Sequence, residues 1–262
     1  MSPLPSSAPL RVEQVGHGAP LVLLHGWALH SGVWDAVRAR LSARYTLHLI
    51  DLPGHGANAG VEPQPGIDGL AQQLLTAAPP RAHWLGWSLG GQVALAAALA
   101  APARIAKLVL TASTPRFVQA PGWPAAQTEA SVARFEAGLR ADRARVVRDF
   151  LALQVLGDER AQATLHTLKE RVLAGAPPSA EALAQGLAVL HATDLRAVAA
   201  TLAVPLLGIS GAMDRLTPPQ ALDWLCEAVP DGRHLVLPRA AHAPFLSHPQ
   251  DFCLALEGFL GD

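Results

Sequence analysis

The sequence predicts an α/β protein built on a mostly parallel sheet with helices on both faces and a helical insertion late in the chain. Three observations carry this reading. Short apolar runs alternate with helical stretches over residues 10–114 and again over 196–262. The apolar runs, such as Leu21-Val22-Leu23-Leu24, are continuous rather than alternating, as in strands covered on both faces. Between the two regions, over about 115–195, the strand pattern disappears and the composition turns helical, broken by Pro121, Pro124, Gly157 and Pro177-Pro178. The 262 residues are thus expected to form one domain, with its core in 10–114 and 196–262 and a helical cap over the sheet in 115–195.

Taken in order, residues 1–9 are rich in proline and serine and read as a loose tail. A strand is expected at 10–15, then a turn at Gly16-His17-Gly18 and a strand at 21–24 ending in His25-Gly26-Trp27. Residues 31–42 carry Val33, Val37 and Leu41 at helical spacing. Strand 46–50 ends in Asp51-Leu52-Pro53-Gly54-His55-Gly56, and 67–77 is helical. The next strand runs into Gly86-Trp87-Ser88-Leu89-Gly90-Gly91 and an Ala/Leu-rich helix to Ala101. A strand follows at 107–110. After the insertion come a strand at 204–209, a loop at 211–219, a helix at 220–228, a strand at 234–237, a loop holding His242 and a helix at 249–259. Within the insertion Phe135, Leu139, Val146, Phe150 and Leu153 recur at helical spacing; on one helix, or two collinear ones, they form a single apolar face.

Composition excludes several classes of function. Half the residues are hydrophobic and the net charge is −1, which gives no global argument for nucleic-acid binding. No stretch reaches the ~18 apolar residues of a membrane span, and the first residues show no signal-peptide pattern. Cys226 and Cys253 form neither a disulfide framework nor a zinc-ligand spacing. A cytoplasmic monomer without metal or cofactor is the expectation.

The chemistry centres on Ser88. Glycines flank it two residues away on each side, between a strand and a helix, which is the setting in which G-x-S-x-G marks a nucleophile on a sharp turn. A serine hydroxyl needs a base, and the base needs an orienting acid. Among eleven histidines, His242 sits in Ala240-Ala241-His242-Ala243-Pro244, where small neighbours let the backbone approach the turn; His234 lies inside a strand and His248 near a helix start. Asp214 follows a strand end and falls between serine and histidine in chain order. Asp51 also ends a strand, but it precedes the serine and fits a loop-fixing role through turn hydrogen bonds. The backbone N–H groups of Leu89 and Trp27 are the expected oxyanion donors.

These motifs together resemble the α/β-hydrolase superfamily. Trp84-Leu85-Gly86-Trp87-Ser88-Leu89-Gly90-Gly91, Phe150-Leu151-Ala152-Leu153-Gln154, Ala240-Ala241-His242-Ala243-Pro244-Phe245 and Ser247-His248-Pro249 resemble, more narrowly, the pimeloyl-[acyl-carrier protein] methyl ester esterases of biotin synthesis. The resemblance implies a carboxylesterase that removes the methyl ester from a pimeloyl chain held on acyl carrier protein. It also implies that Trp27, Leu89, Phe150, Leu151, Ala152, Leu153 and Gln154 line the substrate site. Arg134, Arg145 and Arg148 lie opposite the apolar face, as a solvated face or as candidate docking residues for an acidic carrier; Gln162 and His166 depart from the more basic residues expected after the Phe150 segment. Two rival readings stay open on sequence alone: a short-chain carboxylesterase or C–C hydrolase of the same fold, and a ligand-binding protein that has kept the fold without the activity.

Overall fold

The computed structural model describes residues 8–261; most of the tail expected at 1–9 lies outside them. Seven strands form one sheet: β1 (Val12–Gly16), β2 (Ala19–Leu24), β3 (Tyr45–Ile50), β4 (Ala82–Trp87), β5 (Ile105–Thr111), β6 (Leu206–Gly211) and β7 (Gly232–Leu237). Their spatial order is β1-β3-β2-β4-β5-β6-β7. Only β1 is antiparallel, against β3; all other neighbours are parallel.

Alternate residues of the strands feed two apolar layers. Val22, Leu24, Ile50, Trp84, Leu108 and Leu206 face one side with helices α2 (Gly66–Ala77), α3 (Leu89–Ala100) and α8 (Pro219–Ala228). Leu21, Leu23, Leu49, Leu85, Val109 and Leu207 face the other, with α1 (Asp35–Ser42) and the C-terminal helix at Pro249–Gly261. Burial on both faces is why the strands read as unbroken apolar runs. The sequence places all seven strands to within two residues of where they lie. The stretch expected as one helix at 31–42 is instead a 3-10 turn, Ser31–Trp34, followed by α1.

Between β5 and β6 lie four helices: α4 (Glu129–Ala141), α5 (Arg143–Gln154), α6 (Ala161–Ala174) and α7 (Ala180–Ala192). The first residues of the insertion are not helical; isolated bridges join Val118 to Gln127 and Ala120 to Trp123. The insertion is tied at its base, where Arg116 bridges Asp194 and Leu195 N–H donates to Pro115 O. The apolar residues of α4 and α5 do not make the single collinear face the periodicity suggests. Asp142 ends α4 and its side chain caps α5, accepting from Arg145 N–H. The chain reverses there, so Phe135 meets Phe150 edge-on at 6.1 Å and Gly138 lies against Val146. The stripe is therefore two faces folded against each other.

Among the described residues no helix is long and apolar enough to cross a membrane. The helices after β7 are α9 (Pro244–Ser247) and α10 (Pro249–Gly261).

Candidate active site

Strand order brings the site residues together. In an open parallel sheet, sites form where the order reverses, at the carboxyl ends of the strands. Here the chain runs from β2 outward to β3 and then returns to β4 on the other side of β2. Leu24 of β2 pairs with Gly86 of β4, so the loops after both strands emerge side by side. A Cβ on Gly26 would lie 3.2 Å from Ser88 Cβ and 3.3 Å from the Trp87 ring, so only glycine admits this approach without displacement. On the far side, β6 ends three residues before Asp214 and β7 five before His242.

Ser88 sits on the turn with φ 55° and ψ −118°, well outside the regions ordinary residues prefer. Ala28, Ser88 and Ala112 are the non-glycine residues of positive φ among those described, and they follow β2, β4 and β5 respectively. Backbone strain thus gathers on one rim of the sheet. It is held there by bonds: Ser88 N–H donates to Thr111 O at 3.1 Å, and Ser113 Oγ donates to Ser88 O at 2.8 Å. A side chain on Gly86 would run into the backbone of Gly90 and Gly91, which accounts for the glycines around the serine.

Ser88 Oγ lies 3.0 Å from His242 Nε2, and His242 Nδ1 lies 2.8 Å from Asp214 Oδ2. All three residues are buried. Asp214 Oδ1 accepts from Leu216 N–H at 2.8 Å and Thr217 N–H at 3.0 Å; Oδ2 also accepts from Thr217 Oγ1 at 2.9 Å. A buried carboxylate requires such donors, because burial without them would cost several kcal/mol. With a carboxylate facing it, Nδ1 carries the imidazole proton, and the lone pair of Nε2 faces the serine hydroxyl. This arrangement can move a proton from Ser88 to His242 as a bond to carbon forms. The only sequence signal for Thr217 is its Asp-x-x-Thr spacing from Asp214, a turn-forming pattern in a loop. Trp87 joins the site from the serine's own strand: its indole N–H donates to His242 O at 2.8 Å.

The loop after β2, which carries Trp27, is fixed from behind by His25. Its Nδ1–H donates to Gly26 O at 2.8 Å and its Nε2 accepts from Leu52 N–H at 2.9 Å. Burial, reinforced by the neighbouring His55, pushes its pKa down to about 3, so the ring stays neutral and keeps that tautomer. Asp51 does fix the loop: Ser31 N–H and Ala57 N–H donate to its carboxylate at 2.6 and 2.7 Å. Burial also lowers the pKa of His48, His55 and His83. These folded-state values lie below the unfolded value near 6.5. As pH falls below 6.5 the unfolded chain takes up protons that the folded chain refuses, so stability declines from there towards pH 3. A single histidine held neutral contributes about 1.4 kcal/mol of loss per pH unit in that window. Urea unfolding at pH 7, 6 and 5 should show a falling midpoint; a midpoint that stays constant would contradict the buried neutral histidines.

The insertion covers this rim. Trp27 is buried, its indole N–H donates to Leu183 O on α7 at 2.9 Å, and Phe150 of α5 meets its ring edge-on at 4.9 Å. Gly186 of α7 lies against both the Trp27 ring and the Leu89 side chain. Trp27, Leu89 and Phe150 are thereby brought together. The rest of the Phe150 segment diverges. Gln154 is fully buried, and its backbone O accepts from His242 N–H at 3.0 Å. Leu151 packs into the opposite layer with Val155 and Leu168, and Ala152 and Leu153 are exposed. Arg134, Arg145 and Arg148 are exposed on α4 and α5; Arg134 donates to Ser131 Oγ and Arg145 pairs with Asp149 at 3.6 Å.

Neither cysteine is a candidate nucleophile. Cys226 and Cys253 are buried, and burial pushes both thiols up to about 11. Among the described residues no three His, Cys, Asp or Glu side chains are grouped to hold a metal ion.

Residues 21–256 match the model of the alpha/beta hydrolase family. The pimeloyl-[acyl-carrier protein] methyl ester esterase of Edwardsiella ictaluri is 47% identical over 236 residues, covering 90% of this chain and 91% of that protein. The enzyme of the same name from Nitrosomonas europaea is 42% identical, covering 94% of this chain and 97% of its own. A solved hydrolase from Pseudomonas aeruginosa superposes with a TM-score of 0.78 at 28% identity, over 96% of this chain and 93% of that one. The chain therefore belongs to the α/β hydrolase family and, within it, to the family of the pimeloyl-[acyl-carrier protein] methyl ester esterases.

Proposed function

We propose that this protein is a serine carboxylesterase that hydrolyses the methyl ester of pimeloyl-[acyl-carrier protein] in biotin synthesis, releasing methanol. The observation that carries the chemistry is the hydrogen-bonded line from Ser88 through His242 to Asp214, buried beneath the insertion. His242 takes the Ser88 proton as Oγ attacks the ester carbonyl. Trp27 and Leu89 N–H groups stabilise the oxyanion; one such donor contributes about 2.7–4 kcal/mol in a well-studied protease. His242 then protonates the departing methoxide. Water, deprotonated by the same imidazole, attacks the acyl-serine and frees the carboxylate. Asp214 stabilises the imidazolium in both halves.

Residues 115–195 act as the cap in this reading. A methylene chain offers no hydrogen bonds, so only apolar walls can hold it, at about 0.8 kcal/mol per buried methylene. Trp27, Leu89 and Phe150 supply such walls, whereas Leu151, Ala152, Leu153 and Gln154, which follow on α5, point elsewhere and act through the placement of Phe150. Arg134, Arg145 and Arg148 are the candidate contacts for the acidic carrier, acting chiefly on encounter rate. The reaction requires no metal or organic cofactor, and the reading places the protein in the cytoplasm as a monomer.

Mass spectrometry of carrier-bound pimeloyl methyl ester, before and after incubation, tests the assignment. Loss of the methyl group with release of methanol is expected. If the carrier-bound ester stays intact while p-nitrophenyl esters are cleaved, the protein is an esterase of another substrate. If free methyl pimelate is cleaved with equal kcat/KM, the carrier plays no part in recognition.

A further inference from the structure

The loop that carries His242 is held from two sides. Its carbonyl groups are tied to the core: Met213 N–H donates to Ala240 O at 2.9 Å, and the Trp87 indole donates to His242 O. Its two consecutive N–H groups are tied to the insertion. His242 N–H goes to Gln154 O, and Ala241 N–H goes to Asp158 Oδ2 at 2.9 Å. Asp158 lies between α5 and α6 and is 7% exposed; its other oxygen accepts from Arg160 N–H at 2.7 Å, at the start of α6. Beside it, Glu159 N–H donates to Arg239 O at 3.1 Å, and the Glu159 carboxylate pairs with Arg239 at 3.0 Å and His248 at 2.9 Å. Residues 154–159 thus form a seat on which the histidine loop rests.

We propose that Asp158 is a positioning residue for the base: this buried carboxylate of the insertion sets the height and direction of His242 over Ser88. The inference rests on the reading of His242 as the base. Its physical basis is direct. Ala241 is the residue before His242, its N–H is buried, and Asp158 is its acceptor. Without that acceptor the N–H must find another partner, which moves the loop, or stay unpaired, which destabilises the loop in this position. A misplacement of ~1 Å in reacting groups lowers rates by about 10²-fold. The imidazole needs only part of that displacement to lose its 3.0 Å contact with Ser88 Oγ. A segment remote in sequence, and on the substrate side of the fold, therefore completes the alignment that the sheet begins.

The test uses p-nitrophenyl acetate, too small to report on the acyl site, with full-length protein. Asp158→Ala should lower kcat about tenfold with KM within about twofold. The rate at which a fluorophosphonate probe labels Ser88 should fall by the same factor. Asp158→Asn has one acceptor oxygen for the two N–H groups of Ala241 and Arg160 and turns its NH₂ toward the other, so it should recover only part of the loss and fall between Asp158→Ala and wild type. Asp158→Ser can still accept from Arg160 N–H at the start of α6 but is too short to serve Ala241 as well, and should resemble Asp158→Ala. Arg239→Ala removes only a rim ion pair and should keep kcat within about twofold. The inference is overturned if Asp158→Ala folds and keeps its kcat, or if Ser restores as much as Asn, since either result reduces Asp158 to a helix-start residue. If Asp158→Ala does not fold, the Asn and Ser variants decide between the same outcomes. Ser88→Ala and His242→Ala in the same assay separate the failures. Activity retained in them removes the reading of the site; their inactivity beside an unaffected Asp158→Ala removes only this inference.

Discussion

Ser88→Ala should lower kcat on a carboxyl ester by roughly 10⁴–10⁶-fold without unfolding the protein. The hydroxyl it removes is the atom 3.0 Å from His242 Nε2. The fold should be indifferent. The strained φ of 55° burdens alanine and serine alike, and the backbone bonds of residue 88 to Thr111 and Ser113 do not involve the hydroxyl. His242→Ala should be about as inactive, and the double variant no slower than either single one, because the two groups act as one unit. Steady-state kinetics on p-nitrophenyl butyrate, with circular dichroism as the check on folding, read both effects. A folded Ser88→Ala that retains a tenth of wild-type kcat would remove Ser88 from the mechanism.

How far these groups can be read from sequence follows from which physical constraints are local. Ser88, Asp214 and His242 are legible because each follows a strand, and strands buried on both faces announce themselves as apolar runs. Once the strands are placed, a parallel sheet delivers their following loops to one rim. Asp51 is legible for the same reason, and its bonds to Ser31 and Ala57 are those of a loop-fixing residue. The turn between α4 and α5 is not legible. The apolar spacing from Phe135 to Leu153 carries across it almost in phase, and Asp142 gives the only local sign of a break. Nor are Asp158 and Leu183. Asp158 meets Ala241 across 83 positions of chain, and Leu183 meets Trp27 across 156. Such contacts depend on where the insertion lands on the sheet, which no local pattern encodes. Leu151, Ala152 and Leu153 show the same limit: one short helical segment carries them to different surroundings from Phe150, because successive helical residues point about 100° apart.

The same geometry makes Asp214→Asn a sharper probe than deletion of the acid. Asp214 Oδ1 accepts two backbone N–H groups, from Leu216 and Thr217. In the asparagine variant the amide oxygen must stay there, since an NH₂ group opposite two N–H donors would leave all of them unpaired. The NH₂ is then forced to the position of Oδ2, 2.8 Å from His242 Nδ1. Two donors cannot face each other, so the imidazole must move its proton to Nε2. That nitrogen then presents N–H to Ser88 Oγ and cannot take the serine proton. The expected loss is about 10⁴-fold in kcat, with structure preserved and KM little changed. Asp214→Ala lacks the opposing NH₂ and leaves the imidazole free to choose its tautomer, so it should be no slower than Asp214→Asn. Kinetics of the two variants on one ester decide the matter. An asparagine variant within tenfold of wild type would mean that the carboxylate does not set the tautomer, and the proton path from Ser88 would then have to run through a different partner of His242, of which Thr217 Oγ1, 3.4 Å from Nδ1, is the nearest.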